Sequence, residues 1–552
     1  MPSECYGARL ARLAPSMSVQ PPAWSKGPAV ARKAPTHMNF NLEKSMKSSV
    51  IRILAASLLA AAAFGAHAGK ANDTLIWASN IDPPSLDYYM SSQRETTIFM
   101  NLVWDGLVAR DPAKAGAYKP MLARAWSWSD PKTLEFDLRD GIKFHNGDPL
   151  TAEDVKFTLD HVRNPANRAL LQDFFLWVES VEVVDRLKVR IHLKGPFLAA
   201  LEYLASTTPI YPKAAFEKMG AAAFAKRPIG TGPYMVTENT PGKQIVLKRN
   251  PDYFLESPRA RPAIETLVFR PIPEITTQLA EIATGGIDWM WRYEPEQAPM
   301  LAKLPDIEVA TGSTLRIGYI VMDAAKRAGA SPFNDRRVRQ AVIHAINREG
   351  IVKSLVAGGS QVINGVCSPM QAGCLDSKIK KYAYDQARAR KLLADAGYPN
   401  GFDTDIWAYR ERHYTEAVIA NLRSVGIRAR MQYTRYPTLR TKLHKNEGVS
   451  FAHMTFEGAS VRDVSVVLDY FFTDGPEDYA QDKKLQSMLE KARFAAKPVE
   501  RDKLYTEALN YIAEEAFWVP MFTYPVTYAW SKALNFKVSP DGLPRFDEAR
   551  WK

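Results

Sequence analysis

The sequence predicts an α/β fold of two lobes that share a hinge, and three observations support this prediction. The chain has 552 residues, enough for two or three domains at roughly 100 to 200 residues each. Strand and helix patterns alternate from about residue 404 to 456, which is typical of α/β units with a partly parallel sheet. Since no low-complexity linker separates the halves, the chain must pass between domains by strands or short turns.

The composition and charge exclude several classes of protein. Hydrophobic residues make up 46 % of the chain and charged residues 24 %, which fits neither a disordered chain nor a polytopic membrane protein. The net charge is +12, but residues 1–68 contribute eight Lys and Arg against two Glu. The remaining 484 residues carry 64 basic and 58 acidic side chains, a net charge of +6 without a dense basic tract. Nucleic acid is therefore not an expected partner.

Residues 46–68 have the features of a secretory signal peptide. Lys47 and Arg52 give a basic start, and the uncharged residues 53–66 follow. These 14 residues are too short to span a bilayer, since a spanning helix needs about 20. The A-x-A sequence that ends at Ala68 predicts cleavage after Ala68 and a periplasmic protein that does not span the membrane. The translation start stays open among three methionines: Met1, Met38 and Met46.

Cys367 and Cys374 are the two cysteines beyond the predicted cleavage site. An exported protein with an even cysteine count favours a disulfide. The residues between them form a short turn-prone loop, and closing it would contribute only a few kcal/mol. A redox or metal-binding pair would have C-x-x-C spacing and further ligands. The pair is therefore predicted to be structural.

In the first half of the chain, two local patterns stand out. Residues 134–138 alternate apolar and charged side chains, and Asp140-Gly141 then predicts a turn into a hairpin with residues 142–144. Thr151 and Asp154 form a capping-box pattern that begins a helix.

In the second half, helix signals are equally clear. Asn334 or Asp335 is placed to cap a helix, and Gly397 ends another. The expected buried stripe of the first of these helices consists of Val338, Ala341, Val342, Ala345 and Ile346.

No catalytic or cofactor motif supports an enzyme. The chain lacks a G-x-S-x-G elbow, a phosphate-binding P-loop and an H-E-x-x-H pair, and its histidines lack metal-ligand spacing. We predict no metal and no cofactor. His413 and His453 stay candidate ligand contacts, because both lie near strand ends of the α/β region, where ligands collect. Aromatic residues interleaved with arginines, around residues 289–293 and 407–413, fit either a pocket wall or core packing.

Six segments, taken in order, resemble the extracytoplasmic solute-binding proteins of family 5, the peptide, oligopeptide and nickel group that feeds ABC importers. The resemblance spans residues 73–540. The segments that carry it are residues 101–108, 120–126, 138–147 running into 151–155, 229–234, 334–341 and 389–399.

The resemblance implies the type II periplasmic-binding-protein fold of the large peptide-binding subgroup, with a hinge crossed twice and a ligand between the lobes. It implies a periplasmic substrate-binding component, a monomer that is not an enzyme and that binds a short peptide or peptide-like carboxylate compound. Its partners would be the ABC permease and ATPase complex at the inner membrane. The expected domains are residues 1–68 as leader and signal peptide, 69–320 as lobe I with an extra subdomain at about 100–230, 321–526 as lobe II and 527–552 as the return to lobe I.

The sequence departs from dipeptide-binding relatives at a residue that matters for their ligand. In those relatives an aspartate pairs with the peptide amino group, and the aligned position here is Ala459. Losing the carboxylate partner of a buried ammonium costs about 3 to 5 kcal/mol, which disfavours dipeptides unless Glu457 or Asp463 substitutes.

The arginine that takes the peptide carboxylate in those relatives has counterparts in Arg410 and Arg412. An anionic or amide-bearing ligand is therefore expected. The predicted ligand contacts are Trp289, Trp291, Tyr293, Trp407, Arg410, Arg412, His413, Phe456, Glu457, Gly458, Ala459 and Ser460.

Two alternatives stay open. The first is a metal chelate or haem-type ligand, for which His413 and His453 would have to matter. The second is an exported hydrolase or chaperone on the same fold, since fold similarity does not determine function.

Overall fold

The computed structural model describes residues 69–552, except Ser92, Ala115, Ala260 and Ala357. The predicted signal peptide and its cleavage site lie outside these residues. The described residues belong to one compact unit. Within this part of the chain, no helix is both long and apolar enough to cross a membrane.

Strands and helices are interspersed along the described chain. The strands are β1 (Thr74–Ser79), β2 (Val108–Arg110), β3 (Tyr118–Pro120), β4 (Ala123–Asp130), β5 (Thr133–Leu138), β6 (Val178–Asp185), β7 (Lys188–Leu193), β8 (Tyr234–Thr240), β9 (Gln244–Arg249), β10 (Thr266–Pro271), β11 (Trp289–Trp291), β12 (Ile307–Gly312), β13 (Ile317–Met322), β14 (Phe402–Ala408), β15 (Ile427–Tyr433), β16 (Phe451–Phe456), β17 (Trp518–Thr523), β18 (Val526–Ser531), β19 (Leu534–Asn535) and β20 (Arg550–Trp551). The helices are α1 (Arg94–Val103), α2 (Ala152–Arg163), α3 (Ala200–Ser206), α4 (Lys213–Met219), α5 (Ala221–Phe224), α6 (Ile275–Thr284), α7 (Ala298–Leu301), α8 (Arg336–Ala345), α9 (Arg348–Ile351), α10 (Gln386–Asp395), α11 (Arg412–Arg423), α12 (Tyr436–His444), α13 (Ser465–Phe471), α14 (Lys483–Arg493) and α15 (Pro498–Glu515).

A seven-stranded mixed sheet has the order β12-β18-β11-β1-β10-β9-β8. Its β1 strand is parallel to both β10 and β11, and the late strand β18 pairs between β11 and β12. Side chains alternate across the sheet: Trp77 and Trp289 enter the large core on one face, and Ala78 and Met290 enter a smaller core on the other.

A five-stranded sheet has the order β15-β14-β16-β13-β17. Every residue of β13 is buried, because helices cover both faces of this sheet. Tyr319 and Val321 pack in one core, and Ile320 and Met322 pack in the core on the opposite face.

The chain passes twice between these two sheets. It leaves the first sheet after Gly312 and enters the second at Ile317; it leaves the second after Thr523 and returns at Val526. We therefore call residues 69–314 and 526–552 lobe I, and residues 315–525 lobe II.

The first crossing differs slightly from the predicted domain limits of 69–320 and 321–526. A boundary after residue 320 would divide β13, whose ladders with β16 and β17 place the whole strand in lobe II. The expected return at residue 527 lies one residue from the start of β18.

Lobe I also contains a four-stranded antiparallel sheet with the order β4-β5-β7-β6, within residues 100–230. The predicted hairpin between residues 134–138 and 142–144 is wrong, because β4 and β7 occupy both edges of β5. Lys143 instead forms an isolated bridge with Pro149.

The predicted caps and the disulfide are confirmed. Thr151 and Asp154 form the capping box of α2, and the Asp335 side chain accepts from the backbone N–H of Arg337 to begin α8. Cys367 and Cys374 are joined, with Cα atoms 6.1 Å apart. The predicted stripe of α8 is also buried as expected.

Candidate ligand-binding site

Four arginines meet where the two lobes face each other. Arg94 is the first residue of α1, Arg292 follows β11, Arg316 lies in the first crossing, and Arg410 follows β14. Their side chains are largely buried, with exposed fractions of 11 %, 13 %, 12 % and 28 % respectively.

Burial and mutual repulsion act on three of these arginines. Burial lowers the pKa of Arg94 and of Arg292 to about 10, and that of Arg316 to about 9. Neighbouring arginines add to the effect, since Arg410 and Arg292 both repel the charge on Arg316. All three remain cationic at neutral pH, so the lobes hold concentrated positive charge between them.

Three glutamates are the ion-pair partners of these four arginines. Glu95 pairs with Arg292 at 3.1 Å, and Glu411 lies 3.5 Å from Arg410. Glu457 contacts Arg94 and lies 3.7 Å from Arg316, so it bridges lobe I and the first crossing. We call these seven residues the hinge cluster. Four cations against three anions leave one positive charge unbalanced.

Several buried atoms of the hinge cluster also lack a hydrogen-bond partner. Among the described residues none pairs with Arg94 Nε, Glu95 Oε2 or Glu411 Oε2. Unpaired buried polar atoms are costly in a finished protein core. The cluster therefore has free donors and free acceptors for a ligand that carries both kinds of charge.

A second group of charged residues lies further along the same interface. Arg110 forms a bidentate pair with Glu202, and its Nη1 is 3.7 Å from Asp541. Arg545 pairs with Asp541 at 2.6 Å. Burial opposes the charge on Asp541, but Arg545 and Arg110 outweigh it and hold the pKa of that carboxyl well below its usual range.

Arg462 completes this group, which we call the loop cluster: Arg110, Glu202, Arg462, Asp541 and Arg545. The backbone N–H of Arg462 donates to Glu202 Oε1 at 2.6 Å. Its guanidinium makes no hydrogen bond or ion pair with the part of the chain that the structure describes, and its Nε is buried. Burial, and then repulsion from Arg110, lower the pKa of Arg462.

The segment from Phe456 to Arg462 connects the two clusters. Gly458, Ala459 and Ser460 have φ angles of 62°, 49° and 65°, three left-handed residues in succession. Gly458 has no alternative there, since a Cβ atom would lie 2.8 Å from the Val466 side chain. This turn directs the Ser460 carbonyl toward lobe I, where Arg110 Nη2 donates to it at 2.5 Å.

The predicted aromatic wall is divided between the site and the core. Trp291 lies beside the hinge cluster: the Arg292 and Arg94 guanidinium carbons are 4.1 and 5.3 Å from its ring centroid. Trp289 instead packs inside lobe I against Tyr528, Phe536 and Phe546.

Tyr293 also packs in lobe I, in the core on the opposite face of the sheet from Trp291. The left-handed Arg292, with φ of 60°, interrupts the strand alternation and turns Tyr293 to that face. Its hydroxyl donates to the Tyr528 carbonyl at 2.9 Å.

The predicted residues from β14 and α11 occupy different environments. Arg410 belongs to the hinge cluster, whereas the Arg412 side chain is 64 % exposed and pairs with Glu416 one turn along α11. His413 is half-buried against Tyr414. Burial raises the pKa of Glu294 in lobe I, and the nearby His413 offsets only part of that rise. Trp407 is half-buried beneath Lys442.

His453 lies inside lobe II. Burial lowers its pKa to about 4, and Nδ1 shares a hydrogen bond of 2.9 Å with Thr415 Oγ1. Within the described ranges, the structure has no group of three or more His, Cys, Asp or Glu side chains arranged to hold a metal ion.

Of the two carboxylates considered as substitutes at the amine position, Asp463 is already engaged. It accepts from Arg501 at 2.6 Å and from the Ser465 hydroxyl at 2.6 Å, within lobe II. Glu457 lies between two arginines. The free carboxylate oxygens belong instead to Glu95 and Glu411, which sequence patterns did not single out.

The sequence also did not single out Arg94, Arg316 and Arg110. They come from separate elements, and no spacing relates them among 72 Lys and Arg residues. Arg292 had a usable signal, since it follows Trp-Met-Trp directly and an arginine beside an aromatic run is typical of a stacked cation.

A separate pocket of about 330 Å³ lies on the surface of lobe I, lined by residues that include Lys143, Asp252, Leu255 and Arg261. None of its lining residues comes from lobe II. It is therefore distinct from the charged interface.

Two α/β lobes, joined by two short connections and facing each other across buried charges, define a two-lobed ligand-binding protein. The chain belongs to the bacterial extracellular solute-binding proteins, family 5, whose family model matches residues 117–478.

Full-length relatives support the same assignment. The chain is 30 % identical over 510 residues to the glutathione-binding protein GsiB of Salmonella typhi, covering 89 % of this chain and 96 % of that protein. It is 29 % identical over 514 residues to GsiB of Escherichia coli strain K12, covering 90 % and 97 %.

Solved structures share the fold. The periplasmic binding protein DppA of Helicobacter pylori, in complex with the peptide STSA, superposes with a TM-score of 0.77 at 24 % identity, covering 87 % of this chain and 98 % of that one. A dipeptide-binding protein from a Pseudoalteromonas species, in complex with Met-Leu, gives the same TM-score and identity, covering 87 % and 100 %.

The predicted family and the two-lobed α/β fold class are thus confirmed, and so is the class of function, a solute-binding component of an ABC importer. The family is extracellular, in agreement with predicted export. The Salmonella, Escherichia and Helicobacter relatives are named as binding proteins rather than enzymes.

Proposed function

We propose that this protein is the periplasmic component that captures a short anionic peptide for an ABC importer, and that it binds the peptide between lobes I and II. The observation that carries the proposal is the charge of the hinge cluster, in which four largely buried arginines face three glutamates.

A ligand carboxylate would balance this charge. A guanidinium presents paired donors that match both oxygens of a carboxylate, and such pairs are strong where water is excluded. Arg316 lies just before β13 and Arg410 lies between β14 and α11, so a carboxylate between them would connect the crossing segment to the β14–α11 connection.

The free oxygens of Glu95 and Glu411 suit a ligand amino group. Glu95 Oε1 is occupied by Ser79 Oγ at 2.7 Å and by Arg292, whereas its Oε2 has no partner among the described residues. An ammonium placed there would gain the carboxylate that Ala459 does not provide. Together the cluster fits the amino and carboxylate groups of one amino-acid end.

The relatives suggest which peptide to test first. The Salmonella and Escherichia proteins are named as glutathione-binding. Glutathione has two carboxylates and one amino group, hence a net charge of −1 at neutral pH, which complements the net positive charge between the lobes. We therefore propose glutathione, or a peptide of the same charge pattern, as the ligand.

Binding and release follow from the two crossings. Lobe-to-lobe contacts such as Tyr203 OH to Ser465 Oγ, at 3.0 Å, hold the lobes together and exclude water. Opening at the crossings would expose the ligand. The closed pair of lobes then presents one surface to the permease and ATPase complex. In this role the protein acts as a monomer and binds its ligand without chemical turnover.

The test is calorimetric titration of the mature protein with reduced glutathione, with Ala-Ala as a comparison. We expect one site per chain, micromolar or tighter binding of glutathione and much weaker binding of Ala-Ala. Recovery of unaltered glutathione by mass spectrometry after long incubation would support binding without turnover. Equal affinity for the two peptides, or cleavage of glutathione, would contradict the proposal.

A further inference from the structure

The loop cluster has a charge imbalance of its own. Its three arginines, Arg110, Arg462 and Arg545, face two carboxylates, Glu202 and Asp541. Arg110 and Arg545 form the ion pairs with these carboxylates, which leaves the Arg462 guanidinium without an ion pair among the described residues. Asp541 and Glu202 attract it only at longer range. The interface therefore has a second unbalanced positive charge that the hinge cluster does not explain.

The free hydrogen-bonding atoms of the loop cluster are all donors. Arg462 Nε and Arg545 Nη1 are buried and have no partner within the described chain. Both oxygens of Glu202 are occupied: Arg110 donates to both, and Tyr118 OH donates to Oε2 at 3.1 Å. This differs from the hinge cluster, where glutamate oxygens are free. A lone anion fits here, whereas an ammonium does not.

We infer that the loop cluster is a second anion subsite, in which Arg462 and Arg545 bind a carboxylate at the end of the ligand opposite its amino group. This inference rests on the proposed function and deepens it, because it restricts the ligand to peptides with two separated carboxylates. The end with both charges would lie at the hinge cluster, and the end with a carboxylate alone at the loop cluster.

The two clusters are close enough for a tripeptide. Glu457 of one and Arg462 of the other are five residues apart, so their Cα atoms are at most about 17 Å apart even if that segment were fully extended. The left-handed turn at Gly458–Ser460 shortens this path. An extended tripeptide spans about 11 Å, and the long arginine side chains add reach at both ends.

In glutathione the glycine carboxylate is the lone anion, and the γ-glutamyl end carries both charges. Its glycine monoethyl ester removes the charge of that carboxylate alone. We expect wild-type protein to bind the ester at least about tenfold more weakly than glutathione, by calorimetric titration. The Arg462→Met variant should lose at least about tenfold in affinity for glutathione but bind the ester within about threefold of wild type.

The matched control is Arg430→Met, which removes an arginine of lobe II whose side chain is 78 % exposed. It should bind both ligands as wild type does. Arg462→Lys restores the positive charge without the planar guanidinium. We expect this variant to regain part of the preference for glutathione over the ester. Thermal unfolding by circular dichroism verifies that each variant is folded.

The outcomes separate the two proposals. If wild-type protein binds the ester as tightly as glutathione, or if Arg462→Met still discriminates as strongly as wild type, the second subsite is wrong while the binding of peptides stands. If glutathione does not bind, the pair Glu-Gly-Gly and its C-terminal amide replaces glutathione and the ester with the same expectations. If wild-type protein binds none of the four peptides, the proposed function is wrong and the second subsite with it.

Discussion

Two buried arginines show how differently charge is balanced inside a lobe and between the lobes. Arg259, inside lobe I, lies 3.0 Å from Asp105 and 3.0 Å from Asp547. Burial opposes its charge, but these carboxylates outweigh burial and raise its pKa. Arg316, between the lobes, has one ion pair within the described chain, to Glu457 at 3.7 Å, which it shares with Arg94, and burial lowers its pKa to about 9.

The difference separates arginines whose ion pairs stabilise a lobe from arginines that keep unpaired donors for the proposed ligand. Inside lobe II, three buried arginines are paired by nearby carboxylates: Arg440 with Glu477, Arg493 with Asp469 and Arg501 with Asp463. Two others, Arg339 and Arg348, donate to backbone carbonyls of their own lobe. Between the lobes the pairing is incomplete. A binding site that is destabilised without its ligand is the common compromise between stability and function.

The largest effect is expected at Arg259. Arg259→Met leaves two buried carboxylates without their cation, so the free energy of unfolding should fall by about 3 to 5 kcal/mol. Urea denaturation followed by circular dichroism measures it. Because Arg259 does not touch the hinge cluster, affinity for glutathione should stay within about threefold of wild type.

The matched control for Arg259 is Arg249→Met, which removes a surface pair with Glu265 and should cost about 1 kcal/mol or less. A loss of affinity in Arg259→Met, with stability preserved, would break the distinction between structural and ligand-binding arginines.

Arg316→Met should show the opposite pattern. Affinity for glutathione should fall by about 2 to 5 kcal/mol, since a desolvated carboxylate loses its partner. The free energy of unfolding without ligand should not fall, because the substitution removes repulsion with Arg410 and Arg292. Titration and urea denaturation of the same preparation test both. Lower stability with unchanged affinity would instead give Arg316 the structural role that we assign to Arg259.

His453 extends the comparison to a base buried without a carboxylate. Its folded-state pKa of about 4 lies below the unfolded value, so the unfolded chain binds more protons between pH 4 and 6.5. Stability from this group is therefore present above pH 6.5 and is lost as the pH falls toward 4, by up to about 3 kcal/mol.

His453→Gln keeps a hydrogen-bonding side chain near Thr415 but does not titrate. Urea denaturation at several pH values should show a flatter acid limb for this variant than for wild type. An identical pH dependence in the two proteins would contradict the assignment. Unchanged affinity for glutathione would also argue against a histidine-bound metal ligand.

The smallest effect is expected at Arg412. Its side chain is exposed and pairs with Glu416 one turn along α11, and such pairs contribute about 0.3 to 0.5 kcal/mol. Arg412→Met should leave affinity within about twofold of wild type, whereas Arg410→Met should reduce it strongly. If the two variants lose affinity equally, the ligand site extends beyond the hinge cluster to the start of α11.

Local patterns predicted much of the fold because their physical causes are local. The capping box at Thr151, the Asp335 cap and the Cys367–Cys374 disulfide each depend on residues close in sequence. The hairpin at Asp140-Gly141 failed because β7, more than 40 residues further along, took the edge of β5 that the prediction had left free. The partner of a strand edge depends on strands that are distant in sequence, and a local pattern holds no information about them.

The sequence by itself determined the family, the two-lobed α/β class, the disulfide and the absence of an aspartate at Ala459, because ordered motifs and single residue identities carry that information. Only the tertiary structure decided which of the many arginines lie together between the lobes. Arg94, Arg292, Arg316 and Arg410 are up to 316 residues apart in sequence and are brought together by two lobes and a crossing. Their shared burial and incomplete pairing arise from that assembly, since desolvation and repulsion depend on neighbours in space.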